Sequence, residues 1–372
     1  MTTLTDTQIA DINDQKYHQT VSNALDAARV RIRQEHSGYF LPYNMSNGRV
    51  VIFSDQHRGA GNRADDFRRS QQAYNAALAY YFHLKYILVE LGDVEELWEE
   101  RPKAVLRDHK YSISLSAQFH HEGRYFKIWG NHDDAWRNDS MVAKHLRPLY
   151  GTDINGSPLQ VHEGLEIAVV NNGTELGRIL LVHGHQGTQL SDRFGQISRF
   201  FVRWVWRPVQ RFTNISLNTP AKNWLLREKH NIALYKWAQQ QQKLILIAGH
   251  THRPVMRSKK LADQLEERIR IVDGEIASGA GNQNLLAELQ AELAWVRSQD
   301  FGQHGPEGAP QGTIPMTRSC YFNTGCCCYG DGDITGFELI GDQIRLVRWP
   351  DDNDKPRPII LASCSFAEAF DL

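Results

Sequence analysis

Five short apolar runs, each ending abruptly in Gly, Asp, Asn or His, constrain this chain more than any other feature. The first lies in VVIFSDQHRG, Val50 to Gly59, and delivers Asp55 and His57 to the end of a β-favouring stretch. The second, YILVEL, ends in Gly92-Asp93, and the third, Arg124 to Trp129, ends in Gly130-Asn131-His132-Asp133. The fourth, RILLV, ends in His183-Gly184-His185, and the fifth, KLILIA, ends in Gly249-His250-Thr251-His252. Such runs fit strands covered on both faces, and ligands of open α/β sheets bind beyond the carboxyl ends of strands of this kind. Ala64 to Tyr86 reads as helix, so the first two strands and this helix form a βαβ unit with parallel, neighbouring strands. That puts Asp93 beside Asp55. Extended backbone would also point Asp55 and His57 the same way, so that one cation could take both.

A single buried His is usually a satisfied core residue, but five strands that each terminate in ligand-type residues do not fit five accidents. Asp, His and Asn without a thiolate suit hard or borderline ions, Mn²⁺ first, with Fe, Zn²⁺ and Mg²⁺ also compatible. The ligands suffice for two divalent ions. Two cations about 3.5–4 Å apart, sharing a carboxylate, stabilise the attacking and leaving oxygens of an in-line phosphoryl displacement.

In order and spacing, D-x-H (Asp55, His57), G-D-x-x-E (Gly92, Asp93, Glu96), G-N-H-D, H-G-H and G-H-T-H resemble the motif series of the calcineurin-like metallophosphoesterases. The resemblance spans Val50 to His252 and resumes at Tyr321-Phe322-Asn323-Thr324-Gly325. It implies a four-layer α/β/β/α sandwich. It also implies that Asp55, His57, Asp93 and His252 bind one metal, while Asp93, Asn131, His183 and His250 bind the other, with Asp93 as the bridge. His132 would protonate the leaving oxygen or hold the phosphate, and Asp133 would orient it. GDVEELWEE, GHTHRP and the segment between the fourth and fifth motifs are similar to the UDP-2,3-diacylglucosamine pyrophosphatase branch. The implied activity is hydrolysis of a phosphodiester or pyrophosphate by attack of metal-bound hydroxide. The alternatives are a catalytically silent scaffold that binds partners or anionic lipid, and a nuclease of the same superfamily. Arg58 and Arg253 flank two ligand motifs and would either contact substrate phosphate or form surface ion pairs.

The rest of the chain falls around this core. Residues 1–47 form an N-terminal helical arm, with Ile12, Val21, Leu25, Ala28 and Ile32 able to share a face that packs on the body or joins two copies. The main domain is 48–349. Within it, 189–242 is a helical cap carrying nine Lys or Arg against two acids, in a chain whose formal net charge is only −1. Arg199, Arg203, Arg207 and Arg211 recur every four residues opposite Ile197, Phe200, Phe201, Trp204 and Val205, so 193–212 is a basic amphipathic element. It is either a lid helix with a solvated Arg face or a grip on an anionic substrate or anionic lipid. Residues 256–318 are a helical hairpin, Leu261 to Val272 and Asn284 to Arg297, followed by a loop, and 350–372 are a tail. The near-neutral charge gives no global drive towards nucleic acid, though a local patch would still allow it. Five cysteines, three of them consecutive (Cys326, Cys327, Cys328), make no disulfide framework and predict a reducing cytoplasm. The triplet reads as small residues in a packed strand. An acidic N-terminus without an apolar core, and no run of about 18 apolar residues, support neither secretion nor membrane spanning, so membrane association would be peripheral.

Overall fold

The structure is a computed structural model that describes residues 14–34, 40–62, 65–188, 220–278, 281–300, 318–351 and 356–372. Its elements are α1 (Gln15–Gln34), β1 (Phe40–Asn44), β2 (Arg49–Phe53), α2 (Phe67–His83), β3 (Ile87–Leu91), α3 (Pro102–Asp108), α4 (Lys110–His121) and β4 (Tyr125–Ile128). They continue with α5 (Asp139–His145), α6 (Arg147–Tyr150), β5 (Val161–His162), β6 (Gly164–Asn171), β7 (Thr174–Val182), α7 (Pro220–Gln239), β8 (Leu244–Ala248) and β9 (Pro254–Met256). The last are β10 (Lys259–Lys260), α8 (Leu261–Ala277), α9 (Gln283–Asp300), β11 (Tyr321–Thr324), β12 (Ile334–Ile340), β13 (Gln343–Trp349), β14 (Ile359–Ser365) and α10 (Phe366–Phe370).

Two seven-stranded sheets result. One runs β1-β6-β7-β8-β11-β9-β10 and the other β14-β13-β12-β2-β3-β4-β5. The two-residue period of a strand explains how the apolar runs serve both faces. Val50 and Ile52 of β2, and Val89 and Leu91 of β3, point into the layer between the sheets, where they meet Ile179 and Leu181 of β7 and Ile245 and Ile247 of β8. The alternate residues Val51, Phe53 and Leu88 face outward onto α2 and α4. On the other sheet, Leu180, Val182, Leu244 and Leu246 face outward onto α1 and α7. Helix, sheet, sheet, helix are thus four layers, as expected. β2, β3 and β4 are parallel, as are β7, β8 and β11, so their carboxyl ends collect at one rim.

The arm is a body helix. Val21, Leu25, Ala28 and Ile32 of α1 are fully buried against α7 and the sheet. Ion pairs from Arg29 and Arg33 to Glu166 and from Arg31 to Glu163 fasten its far side. The described part of the stripe that the sequence offered to the body or to a second copy is covered by the body, and Ile12 lies outside the described residues. Four other expectations need correction. Residues 40–44, assigned to the N-terminal helical arm, form β1, paired in parallel with β6. Residues 220–239, assigned to the cap, are α7, whose Ala233, Leu234, Trp237 and Ala238 are core residues. The tail supplies β14, antiparallel to β13, so the sheet extends past residue 349. The cysteine triplet follows β11 instead of lying within a strand, because Gly325 turns the chain at φ +77°. Helices α8 and α9 pack together through Leu265, Val272, Leu289, Leu293 and Val296. Arg199, Arg203, Arg207 and Arg211 lie outside the described residues. No helix among the described residues is long and apolar enough to cross a membrane.

Candidate metal centre

The loops after β2 and β3 keep pairing beyond the strand ends. Asp55 donates its N–H to Gly92 O at 3.0 Å, His57 to Asp93 O at 2.9 Å and Arg58 to Val94 O at 3.0 Å. From the facing sheet, Gly249 N–H bonds His183 O at 2.8 Å, and His250 N–H reaches across to Asp55 Oδ2 at 3.0 Å. Each rim is therefore laced by backbone, and the Asp55 carboxylate joins the two. This costs conformational strain: Asp55, His57, Asp93, His250 and His252 all sit at φ between 50° and 67°. Left-handed backbone outside glycine costs about 1–3 kcal/mol per residue and persists where surrounding structure over-determines it, typically at functional sites. Asp55 and His57 thus share a direction through left-handed turns and not through the extended backbone expected. Glycine is required where the Asp93 carboxylate and the His183 ring press on the backbone. A Cβ on Gly130 would collide with Asp93 Oδ1, and one on Gly92, at φ +85°, would lie 2.5 Å from His183 Cγ.

The predicted ligands fall into two triads. Asp55, His57 and His252 form one, and Asp93, His183 and His250 the other, each with ligand atoms within 4.8 Å of one another. In the first, His57 Nε2 and His252 Nε2 lie 3.2 Å apart, and His252 Nε2 is 3.1 Å from Asp55 Oδ1. In the second, His183 Nε2 is 3.0 Å from Asp93 Oδ2, which is itself 3.9 Å from His57 Nε2. Asp93 therefore stands between the triads. Asn131 is buried beside them, and its Oδ1 has no hydrogen-bond partner among the described residues.

This constellation fits divalent cations on four observations. A buried amide oxygen left without a donor is costly unless something electropositive meets it. Asp55 gives Oδ2 to Ser54 and to the His250 backbone and turns Oδ1 towards imidazole nitrogens. The two buried carboxylates also demand positive charge. Burial alone would lower the imidazoles, yet Asp93 and Asp55 hold His183 up at about 9, and Asp55 and Glu96 hold His57 well above its ordinary value. The tautomers suit ligation as well: His183 Nδ1–H donates to Leu91 O at 2.9 Å, leaving Nε2 for a cation.

Glu96 is the residue whose task the sequence did not reveal. Its Oε2 accepts from His57 Nδ1 at 3.2 Å and from His132 Nδ1 at 2.6 Å. One carboxylate thereby fixes a candidate ligand and the neighbouring catalytic candidate, and His132 also stacks on Trp98 with ring centroids 4.2 Å apart. Burial opposes ionisation of Glu96, but His132 and His57 outweigh it and hold the carboxyl at about 2. Asp133, expected to orient His132, does not. Its oxygens accept backbone N–H groups of Gly130 at 2.6 Å, Val94 at 2.9 Å and Glu95 at 3.4 Å, so it braces the two ligand loops.

Arg58 is likewise a correction. Its guanidinium is fully buried, 3.1 Å from Glu90 and 3.7 Å from Glu95, and it neither contacts substrate nor forms a surface pair. Arg253 is buried at the rim, where burial and its charge lower the pKa of Arg227 on α7, a second cation the sequence reading did not single out. Another helix contact, Asn231 Oδ1, accepts from Thr251 Oγ1 at 3.1 Å and Tyr321 OH at 2.7 Å, steadying the G-H-T-H loop. A spacing argument could not find these, because α7 reaches the site only through tertiary packing.

No model of a protein family matches the chain, and no curated protein matches it in sequence. Among solved structures, it is similar to Vacuolar Protein Sorting 29 from Cryptosporidium parvum, at 12% identity and TM-score 0.32, over 86% of this chain and 98% of that one. It is also similar to a conserved predicted phosphoesterase from Streptococcus pneumoniae TIGR4, at 12% identity and TM-score 0.28, over 84% of this chain and 98% of that one. Likenesses this faint carry no functional argument. The site's own geometry has to supply it.

Proposed function

We propose that the chain is a divalent-metal-dependent phosphoesterase of the calcineurin-like metallophosphoesterase type, hydrolysing a phosphodiester or pyrophosphate. The observation that carries this reading is the meeting of two Asp/His triads at Asp93, with His132 beside them. Asp55, His57 and His252 would hold one cation, and His183, His250 and Asn131 the other, with Asp93 serving both. Mn²⁺ is the first candidate by ligand hardness. When bound, a pair of such cations supplies a nucleophile at neutral pH and neutralises charge building on phosphoryl oxygens.

The chain's own contribution is positional and acid–base. His132 has Nδ1 committed to Glu96, so Nε2 is the nitrogen left to carry a proton to the leaving oxygen. Glu96 stabilises that imidazole when protonated: burial pulls His132 down, and Glu96 and Asp93 pull it above its ordinary value. Arg253 and Arg227 supply positive charge at the rim for further phosphate oxygens. A UDP-linked lipid, a lipid phosphate or a nucleic acid would each present such a group, and the basic 193–212 segment would favour an anionic lipid surface. The five free thiols suit a reducing cytoplasm.

The test is metal analysis together with turnover of bis(p-nitrophenyl) phosphate. Wild type is expected to bind two Mn²⁺ and to hydrolyse the ester, whereas Asp93→Asn loses both ions, because the shared carboxylate no longer holds two cations together. A wild-type protein that takes up no metal and shows no manganese-dependent turnover would leave a silent scaffold as the correct reading. Equal dimetal occupancy in wild type and Asp93→Asn would remove the bridging role.

A further inference from the structure

His252 faces the metal centre with one nitrogen and a pair of thiols with the other. Nε2 lies 3.1 Å from Asp55 Oδ1, while Nδ1 lies 3.9 Å from Cys328 Sγ. The ligand atoms of Cys326, Cys328 and His252 all fall within 4.8 Å of one another. The middle cysteine of the triplet points elsewhere: Cys327 is fully buried, and its Sγ lies 3.7 Å from Thr335 O. Backbone bonds from both ends of the peptide group between Cys326 and Cys327 hold the loop. Cys327 N–H donates to Asp55 O at 3.1 Å, and Cys326 O accepts from Thr335 N–H at 3.0 Å. The thiol loop is thus tied directly to the backbone of a ligand of the main centre.

We propose that Cys326, Cys328 and Nδ1 of His252 form a third cation site, one for a soft or borderline divalent ion such as Zn²⁺ or Cd²⁺. The donor chemistry separates it from the neighbouring centre, where carboxylates, imidazoles and an amide favour harder ions, because thiolates select softer ones. The spacing of Cys328 and His252 suits such an ion. Zinc–sulfur and zinc–nitrogen bonds of about 2.3 and 2.0 Å in a tetrahedron put neighbouring ligand atoms roughly 3.5–3.8 Å apart, close to the separation found between Cys328 and His252. None of the five cysteines is in a disulfide, so both thiols are available as ligands. Binding releases the thiol protons to solvent and, where Nε2 already holds a cation, the Nδ1 proton as well, so that the ring bridges the two sites as an imidazolate. Three protein ligands leave a fourth position open, and because the two sites share one imidazole ring, filling the thiol side is felt at the main centre.

Cadmium is the probe, added to protein reduced with a phosphine so that no added thiol competes. The ultraviolet thiolate-to-cadmium absorption is expected to rise to one equivalent in wild type, and Cd²⁺ is expected to protect Cys328 from alkylation. The absorption is lost in Cys326→Ser/Cys328→Ser and retained in Cys364→Ser. A wild-type protein with no such absorption, or a double variant that keeps it, overturns the site. Should the double variant fail to fold, alkylation decides alone, since a Cys328 that Cd²⁺ leaves fully reactive in wild type also overturns it. No phosphoester is turned over in this experiment, so failure of the hydrolytic reading and failure of this site are told apart.

Discussion

At the scale of single residues, the site is organised by which nitrogen of each histidine is already spoken for. Leu91 O takes Nδ1 of His183 and Glu96 takes Nδ1 of both His57 and His132, which leaves the Nε2 atoms facing the place where cations and a leaving group would sit. Two predictions separate His132 from its partner. His132→Ala is expected to retain both metals and lower kcat by roughly 10²–10⁴, the usual worth of general acid catalysis. Loss of metal in that variant would make His132 a ligand. Glu96→Gln is expected to lower kcat too, and also to weaken the first metal by about 10–100-fold through His57. If Glu96 acts through His132, the double variant's kcat at saturating metal should be no lower than that of His132→Ala. Additive losses would show the two to be independent. Glu96 was visible in the motif series, but only the fold brings its carboxylate to two imidazoles at once.

At the scale of elements, a buried charge network beneath the centre holds the ligand strands in register. Glu90 on β3 lies 3.1 Å from Arg58, which follows β2, and 3.3 Å from Lys127 on β4, and it accepts from Tyr74 on α2 at 2.8 Å and Ser116 on α4 at 3.0 Å. Every element that carries a first-half motif is tied to this carboxylate. Removing one partner of a buried ion pair leaves uncompensated charge, so Glu90→Gln is expected to destabilise the protein by about 3–5 kcal/mol in denaturant unfolding. The pH dependence has a definite sign. Burial opposes ionisation of Glu90, but Lys127 and Arg58 bring its pKa from 4.5 down to about 2. A depressed carboxyl contributes stability that is present above pH 4.5 and lost as pH falls through 2. Acid unfolding between these values should be steeper in wild type than in Glu90→Gln, and parallel curves would show that the network contributes nothing through this group. Arg58 reads as a substrate contact in the sequence because its position next to His57 is visible there, whereas the turn of its guanidinium into the core is not.

At the scale of the whole molecule, two sheets meet face to face and present their strand ends at one rim, so the ligands of one triad come from opposite sheets. Asp55 and His57 follow β2, and His252 follows β8. Cation binding should therefore couple the halves, and Mn²⁺ at a hundredfold excess over its Kd should raise unfolding stability by about 2.7 kcal/mol per independent site. The gain should be absent in Asp93→Asn, and a gain of equal size there would place the stabilising ions elsewhere. The sequence by itself determined the five strands that end in ligand-type residues, their parallel order in the first βαβ unit and the ligand types, because period-2 burial and the abrupt change from apolar to ligand residues are local properties of the chain. Where a residue's role depends on which way its side chain turns, only the tertiary structure decided. Asp133 turns to backbone amides, Arg58 to the core, Glu96 to two imidazoles, and Cys328 to the outer nitrogen of His252 with Cys326 alongside. Contacts between residues 32 to 76 positions apart set those directions, as left-handed backbone sets those of five candidate ligands, and neither leaves a periodic trace in the sequence.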